Sequence, residues 1–299
     1  MILPAPAVLA TPAPSQSPFS LDGAFLLARA AARGAADPRT VLAADGATLE
    51  EKLAAIDAIH SRLPIQNPAG RRAAIDALAA AAVDANQPPE VRAKALTHLG
   101  YSLPLADDDR TRVKGVETLL AALQSPTYRI YGLRGLGPAS YGLPATHEAV
   151  YLAAILDLLD TPVAGEERAT AMVALFSFVS FRDDLPKRKP ALLAQLDARL
   201  LAPIESAPQA FVLDPRGSDA SRQMAVAVLW SAARQRERHG DHAAVARTRT
   251  LFAQLSRLET SPSVRAWINL YRGANPAQPF RQNGAEDDAA LPGPLLVAG

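Results

Sequence analysis

Pro88-Pro89-Glu90-Val91-Arg92-Ala93-Lys94-Ala95-Leu96-Thr97-His98-Leu99-Gly100 is the stretch on which the fold turns. Two prolines suit the first turn of a helix, where a missing N–H costs nothing. Glu90 sets a negative charge at the positive end of the helix dipole. Counting from Arg92, small or apolar residues stand at plus three, plus four and plus seven: Ala95, Leu96 and Leu99. Helical periodicity puts these on one side and Lys94, His98 and Tyr101 on the other. Gly100 reads as the stop.

The frame recurs. Arg71 is followed by Ala74, Ile75 and Leu78, and Arg129 by Gly132, Leu133 and Leu136. Arg168 is followed by Ala171, Met172 and Leu175, and Arg222 by Ala225, Val226 and Leu229. Arg265 opens a similar Ser-Pro-Ser-Val-Arg start whose apolar frame drifts. The arginines are 21, 37, 39, 54 and 43 residues apart. The first step fits two consecutive helices; of the others, two lie just under the period of roughly 40–47 residues of paired-helix repeats, one falls inside it and one exceeds it.

In the Pro-x-Val-Arg-x-x-Ala-Leu frame of Pro89 to Leu96, and over roughly residues 68–272, the chain resembles the HEAT-like (armadillo-type) helical repeats. The resemblance implies an all-α fold: a right-handed alpha solenoid of HEAT-like helix pairs, with about ten to twelve helices by the pattern count. It implies a non-enzymatic scaffold that binds a protein or peptide through its inner helix face. It also leaves open an enzyme of the DNA-repair glycosylase type, which needs a basic channel and a buried carboxylate beside an aromatic ring. A third reading is a chaperone or lyase holding a pigment or cofactor, and no residue motif calls for a cofactor.

Composition narrows the field. The 299 residues are 49% hydrophobic, enough for a large core, but only 5% aromatic, unlike the clefts of sugar-processing enzymes. Without cysteine there is no disulfide, thiolate metal site or thiol nucleophile. The Ala-, Arg- and Pro-rich usage is that of a GC-rich bacterial genome. A formal net charge of +1 gives no global attraction to nucleic acid. Residues 1–181 carry 15 basic and 18 acidic side chains, a net of −3, and residues 182–272 carry 15 and 9, a net of +6. These read as ordinary solvated helix faces.

Residues 1–19 read as a disordered Pro/Ala leader or the remnant of an export signal, 20–273 as the repeat domain, and 274–299 as a mobile tail. Both ends are expected to be dispensable. No apolar run reaches the length of a membrane span. Helices are expected over 21–34, 48–63, 111–124, 146–160, 165–182, 187–202, 219–239, 241–259 and 262–272, with others from Asn67-Pro68, in the organising stretch and from Ser125-Pro126. Thr48-Leu49-Glu50-Glu51 has capping-box spacing. Residues 132–144, with Gly132, Gly135, Gly137, Pro138, Gly142 and Pro144, read as a breaker-rich connection.

Most motifs that carry chemistry have a plainer reading. His239-Gly240-Asp241-His242 offers two imidazoles and a carboxylate, yet reads better as an interhelical turn with Asp241 capping the next helix. Ser140 lacks the first glycine of a nucleophile elbow. Asp107-Asp108-Asp109 is an acidic turn before a helix, and Met172, Leu175, Phe176, Phe178 and Phe181 are core. The tyrosines say more: five of six fall between Tyr101 and Tyr151. Tyrosine and arginine favour recognition surfaces. The candidate binding set is Lys94, His98, Tyr101, Tyr131 and Arg134 on one face, with Tyr141 and His147 folding over it. Arg92, Arg129, Arg168 and Arg222 read as structural.

Overall fold

In the computed structural model the described residues are 37–161, 165–180, 191, 192, 194, 199 and 218–274. They are helical without a strand. Eleven α-helices are bounded among the described residues: α1 (Pro38–Ala43), α2 (Leu49–Arg62), α3 (Pro68–Val83), α4 (Pro89–Ser102), α5 (Asp109–Ala122), α6 (Arg129–Ala139), α7 (Glu148–Asp160), α8 (Gly165–Ser180), α9 (Asp219–Arg238), α10 (Ala244–Leu258) and α11 (Pro262–Gly273). The helix expected over 21–34, both terminal segments and, save four residues, the helix over 187–202 lie outside the described residues.

Local chemistry starts most of these helices. Thr48 accepts the Glu51 N–H and Glu51 answers to the Thr48 N–H, closing the capping box. Asn67 caps α3, Asp108 caps α5, Ser218 caps α9 and Ser261 caps α11, each through its side chain. Asp241 is displaced from its expected role. α10 begins at Ala244 behind Ala243, and the Asp241 carboxylate holds Arg247. The turn itself is present, with Gly240 at φ 110° and the Asp241 N–H on the Arg236 carbonyl at 2.9 Å.

The helices pair and then stack. Helices α1 and α2, α3 and α4, α5 and α6, α7 and α8, and α10 and α11 pack as hairpins. The second members form a row: α2 lies against α4, α4 against α6, α6 against α8, α8 against α9 and α9 against α11. Helices α1, α3 and α5 form a first-member row beside it. The repeated apolar frame fills the space between. Ala74, Ile75, Leu78, Ala95, Leu96, Leu99, Leu133, Leu136, Ala171, Met172, Leu175, Ala225, Val226 and Leu229 are all buried. In α11 the drifted frame is replaced by Val264, Trp267, Ile268 and Tyr271.

The recurrent arginines bind the hairpins from within. Arg92 Nε donates to the carbonyl of Ala82 near the end of α3 at 3.2 Å. Arg129 Nε donates to Leu123 O at 3.0 Å, and Arg168 reaches Leu159 O at 3.5 Å. Arg265 holds Glu259 O at 3.0 Å. Each accepting carbonyl belongs to the last turn or cap of the preceding helix, where intrahelical donors have run out. These carbonyl partners therefore lie in the arginine's own hairpin, while Arg129 also reaches Glu167 of α8 at 3.4 Å. Arg222 differs: it binds the buried Glu259 carboxylate at 2.9 Å.

The 132–144 stretch corrects the sequence reading. Arg129–Ala139 is a helix, with Pro138 in its last turn and a 3-10 turn, Ser140–Gly142, behind it. Its glycines serve packing, not a loop. A Cβ on Gly135 would stand 2.7 Å from the Leu96 carbonyl, and one on Gly100 would collide with the Gly135 backbone. α4 and α6 thus cross backbone to backbone. Gly100 is not a stop either, since α4 runs to Ser102. Ser125-Pro126 yields a turn, and α6 starts at Arg129. A Leu-Pro pair recurs at 63, 103 and 143, and the first two begin 3-10 turns with the leucine buried.

Two stability tests follow from this packing. Arg129→Ala strips a donor from the Leu123 carbonyl and is expected to cost about 1–3 kcal/mol in denaturant unfolding. An unchanged midpoint would place the Arg129 bond outside the hairpin's stability. Alanine in a helix interior normally stabilises relative to glycine by roughly 1 kcal/mol. Gly100→Ala is expected to reverse that sign, losing about 2 kcal/mol or more to overpacking, whereas Gly46→Ala, in the open turn between α1 and α2, is expected to leave stability nearly unchanged.

Candidate functional site

The tyrosine-rich face is assembled from the second-member row. Asp57 and His60 stand three residues apart on α2, one above the other. Lys94, His98, Tyr101 and Ser102 come from α4. Lys94 Nζ donates to Asp57 Oδ2 at 2.6 Å, and His98 Nε2 lies 3.5 Å from Asp57 Oδ1. The His60 ring meets the His98 ring edge-on at 5.1 Å between centroids and the Tyr101 ring at 6.2 Å. Ser102 Oγ donates to the His98 carbonyl at 2.7 Å, so its single proton is used. His60 Nδ1 lies 3.2 Å from the same hydroxyl oxygen.

Burial holds the His60 imidazolium pKa below its ordinary value, opposed by the Asp57 charge. For His98, burial, the neighbouring His60 ring and Lys94 together lower it to about 4 against the pull of Asp57. Tyr101 and Tyr141 remain 46% and 52% exposed. They are close enough that Tyr101 adds to the burial that raises the Tyr141 hydroxyl.

Tyr131 and Arg134 form a second centre on α6. The Arg134 guanidinium lies 5.5 Å from the Tyr131 ring centroid, within cation–π reach, and pairs with Glu166 of α8. Tyr131 packs partly on the core. Arg92 likewise covers the Tyr128 ring, at 4.2 Å.

The structure thus groups Lys94, His98, Tyr101 and Tyr141, and joins Tyr131 to Arg134. His147 does not fold over them. It stands just before α7 without capping it through its side chain, and its Nε2 lies 3.4 Å from Glu117 of α5. The chain leaves the Tyr141 turn toward α7, which carries His147 to the α5 side. Asp57, His60, Ser102 and Glu166 were missed by sequence reading. A signal existed for two of them: Asp57 precedes Lys94 by 37 residues and His60 precedes His98 by 38, one repeat in each case.

The arrangement is built for contact. Ser102 and Ser140 are fully buried, and Ser140 Oγ donates to Gly137 O at 2.7 Å. Asp108 is used as a cap on the Thr111 N–H. Among the described residues no three His, Asp or Glu side chains are placed to hold a metal ion, and no helix is long and apolar enough to cross a membrane. A cavity of about 530 Å³ lies near the start of the stack, lined by Asp37, Arg39, Arg62, Ile65 and Asn67. None of the seven expected site residues lines it.

The chain is an all-α protein of packed helical hairpins. Comparison with protein-family models, curated proteins and solved structures gives no match.

The ion pairs of this face are half-exposed, a setting in which a pair contributes only about 0–1 kcal/mol. Tyr131→Phe with Arg134→Ala, which keeps the ring that packs on the core, is therefore expected to melt within a few degrees of wild type. A collapse of the far-ultraviolet helical signal in that variant would make the two residues structural.

Proposed function

We propose that the chain is a HEAT-like helical-repeat scaffold that binds a protein or peptide segment across its second-member row. The observation that carries this reading is the exposure of Tyr101 and Tyr141 beside one another, with Lys94 and His98 on the same helix as Tyr101. Solvent-exposed tyrosines offer a large contact area with only two torsions to freeze. The backbone-to-backbone crossing of α4 and α6 supports the reading by fixing the helices beneath them. Stacks of helical hairpins also present extended surfaces suited to such contacts.

The reading as a nucleic-acid enzyme has less behind it. Lys94 and Arg134 are already paired with Asp57 and Glu166, so this face presents no unbalanced run of cations. Among buried carboxylates, Glu259 is taken by Arg222 and the Ser261 N–H.

The test is retention of a partner identified with the wild-type chain. Tyr101→Ser with Tyr141→Ser is expected to weaken that complex at least tenfold in a titration, while Val150→Ser, an exposed site on α7, leaves it intact. Equal affinity in all three proteins would move the binding surface elsewhere.

A further inference from the structure

The contact between α2 and α4 carries two imidazoles and one carboxylate. His60 and His98 touch ring to ring, and the charged groups acting on them are Asp57 of α2 and Lys94 of α4. Tyr101 and Ser102 of α4 complete the surroundings of His60. Among the described residues, the other helices packed on α2 and α4, namely α1, α3, α5 and α6, add no charged group that acts on either ring. Asp57 is balanced by Lys94 at 2.6 Å. A proton on either ring therefore adds a charge that no second carboxylate meets.

The hydrogen bonding points the same way. His98 turns Nε2 toward Asp57, and its Nδ1 is buried without a hydrogen-bond partner. Neutral imidazole tolerates that as a bare lone pair. Imidazolium would bury an N–H donor with nothing to receive it. For His60, Nδ1 is engaged with Ser102 Oγ at 3.2 Å, and the ring meets that of His98 edge-on at 5.1 Å.

We propose that the His60–His98 pair is a proton-operated joint: acidification charges both rings against each other and against Lys94, and parts α2 from α4 beneath Tyr101. The inference concerns the joint itself and stands whether or not the face above it binds a partner.

The sign follows from the direction of the shifts. Both rings titrate below the unfolded value of about 6.5, so the folded chain binds fewer protons than the unfolded one in the window beneath it. The contribution is complete above pH ~6.5 and is lost as pH falls toward the folded value of His98, about 4. His98 alone then raises the unfolding constant roughly twentyfold between pH 7 and pH 5.

The experiment measures unfolding constants of the full chain at pH 7 and pH 5 for wild type and His98→Gln, whose amide still reaches Asp57 but cannot be charged. The expected result is a pH ratio roughly twentyfold smaller in the variant. A histidine titration by nuclear magnetic resonance on wild-type protein gives an independent readout. His98 is expected to stay neutral down to pH 5, and the His60–Tyr101 ring contact to vanish as it titrates. Equal pH ratios in the two proteins, or a folded His98 that titrates near 6.5, would overturn the proposal. If His98→Gln fails to fold, His60→Gln and the wild-type titration decide it in the same terms.

Discussion

The fold depends on a guanidinium resting on the carbonyl end of the helix before it. Arg92, Arg129, Arg168 and Arg265 repeat that contact in four hairpins. The last turn of a helix leaves carbonyls without donors and carries the negative end of the dipole. A guanidinium answers both demands, because it is charged and has several N–H groups in a plane. Arginine early in the second helix thereby fixes how that helix turns back on the first. The apolar frame three, four and seven residues later is then aimed at the core. The recurring sequence frame and the recurring hairpin contact share this cause.

A second set of contacts marks the period between hairpins. Lys94 with Asp57, Arg129 with Glu167, and Arg222 with Glu259 span 37 or 38 residues. Arg71 with Asp107 and Lys114 with Asp76 span 36 and 38. These pairs sit mostly at the surface, where each contributes little alone. Their regular spacing shows that hairpins follow one another in similar register. Buried polar links add to this at particular joints. Lys52 donates to Gln87, which donates to the Leu42 carbonyl, and the Tyr151 hydroxyl reaches Leu136 O and Ala174 O.

The helical character was legible because capping and apolar spacing act locally. Thr48, Asn67 and Ser261 announce their helices without help from the rest of the chain. α6 was not legible, because its glycines answer to neighbours far off in sequence. Read alone, Gly132 and Gly135 are breakers; against Leu119, Ala122 and Leu96 they are clearances. The candidate face was half legible. Helical spacing placed Lys94, His98 and Tyr101, and their counterparts on α2 emerged only when α2 and α4 were brought together. His147 was misplaced for the converse reason: closeness in sequence to Tyr141 did not survive the turn into α7.

The crossing of α4 on α6 differs in kind from the contacts farther along the row. Where α9 meets α11, the Trp230 and Tyr271 rings lie 6.3 Å apart and fill the gap. Large side chains there have torsions by which an interface can adapt. At Gly100 and Gly135 there is no side chain to turn, so the two helices share a fixed distance and angle. A molecule spanning α4 and α6 meets a surface whose shape is set before it arrives. It loses little entropy in ordering that surface and gains little by remoulding it. The α4–α6 end of the row is therefore fixed in shape, whereas the α9–α11 contact is filled by side chains that have torsions to turn.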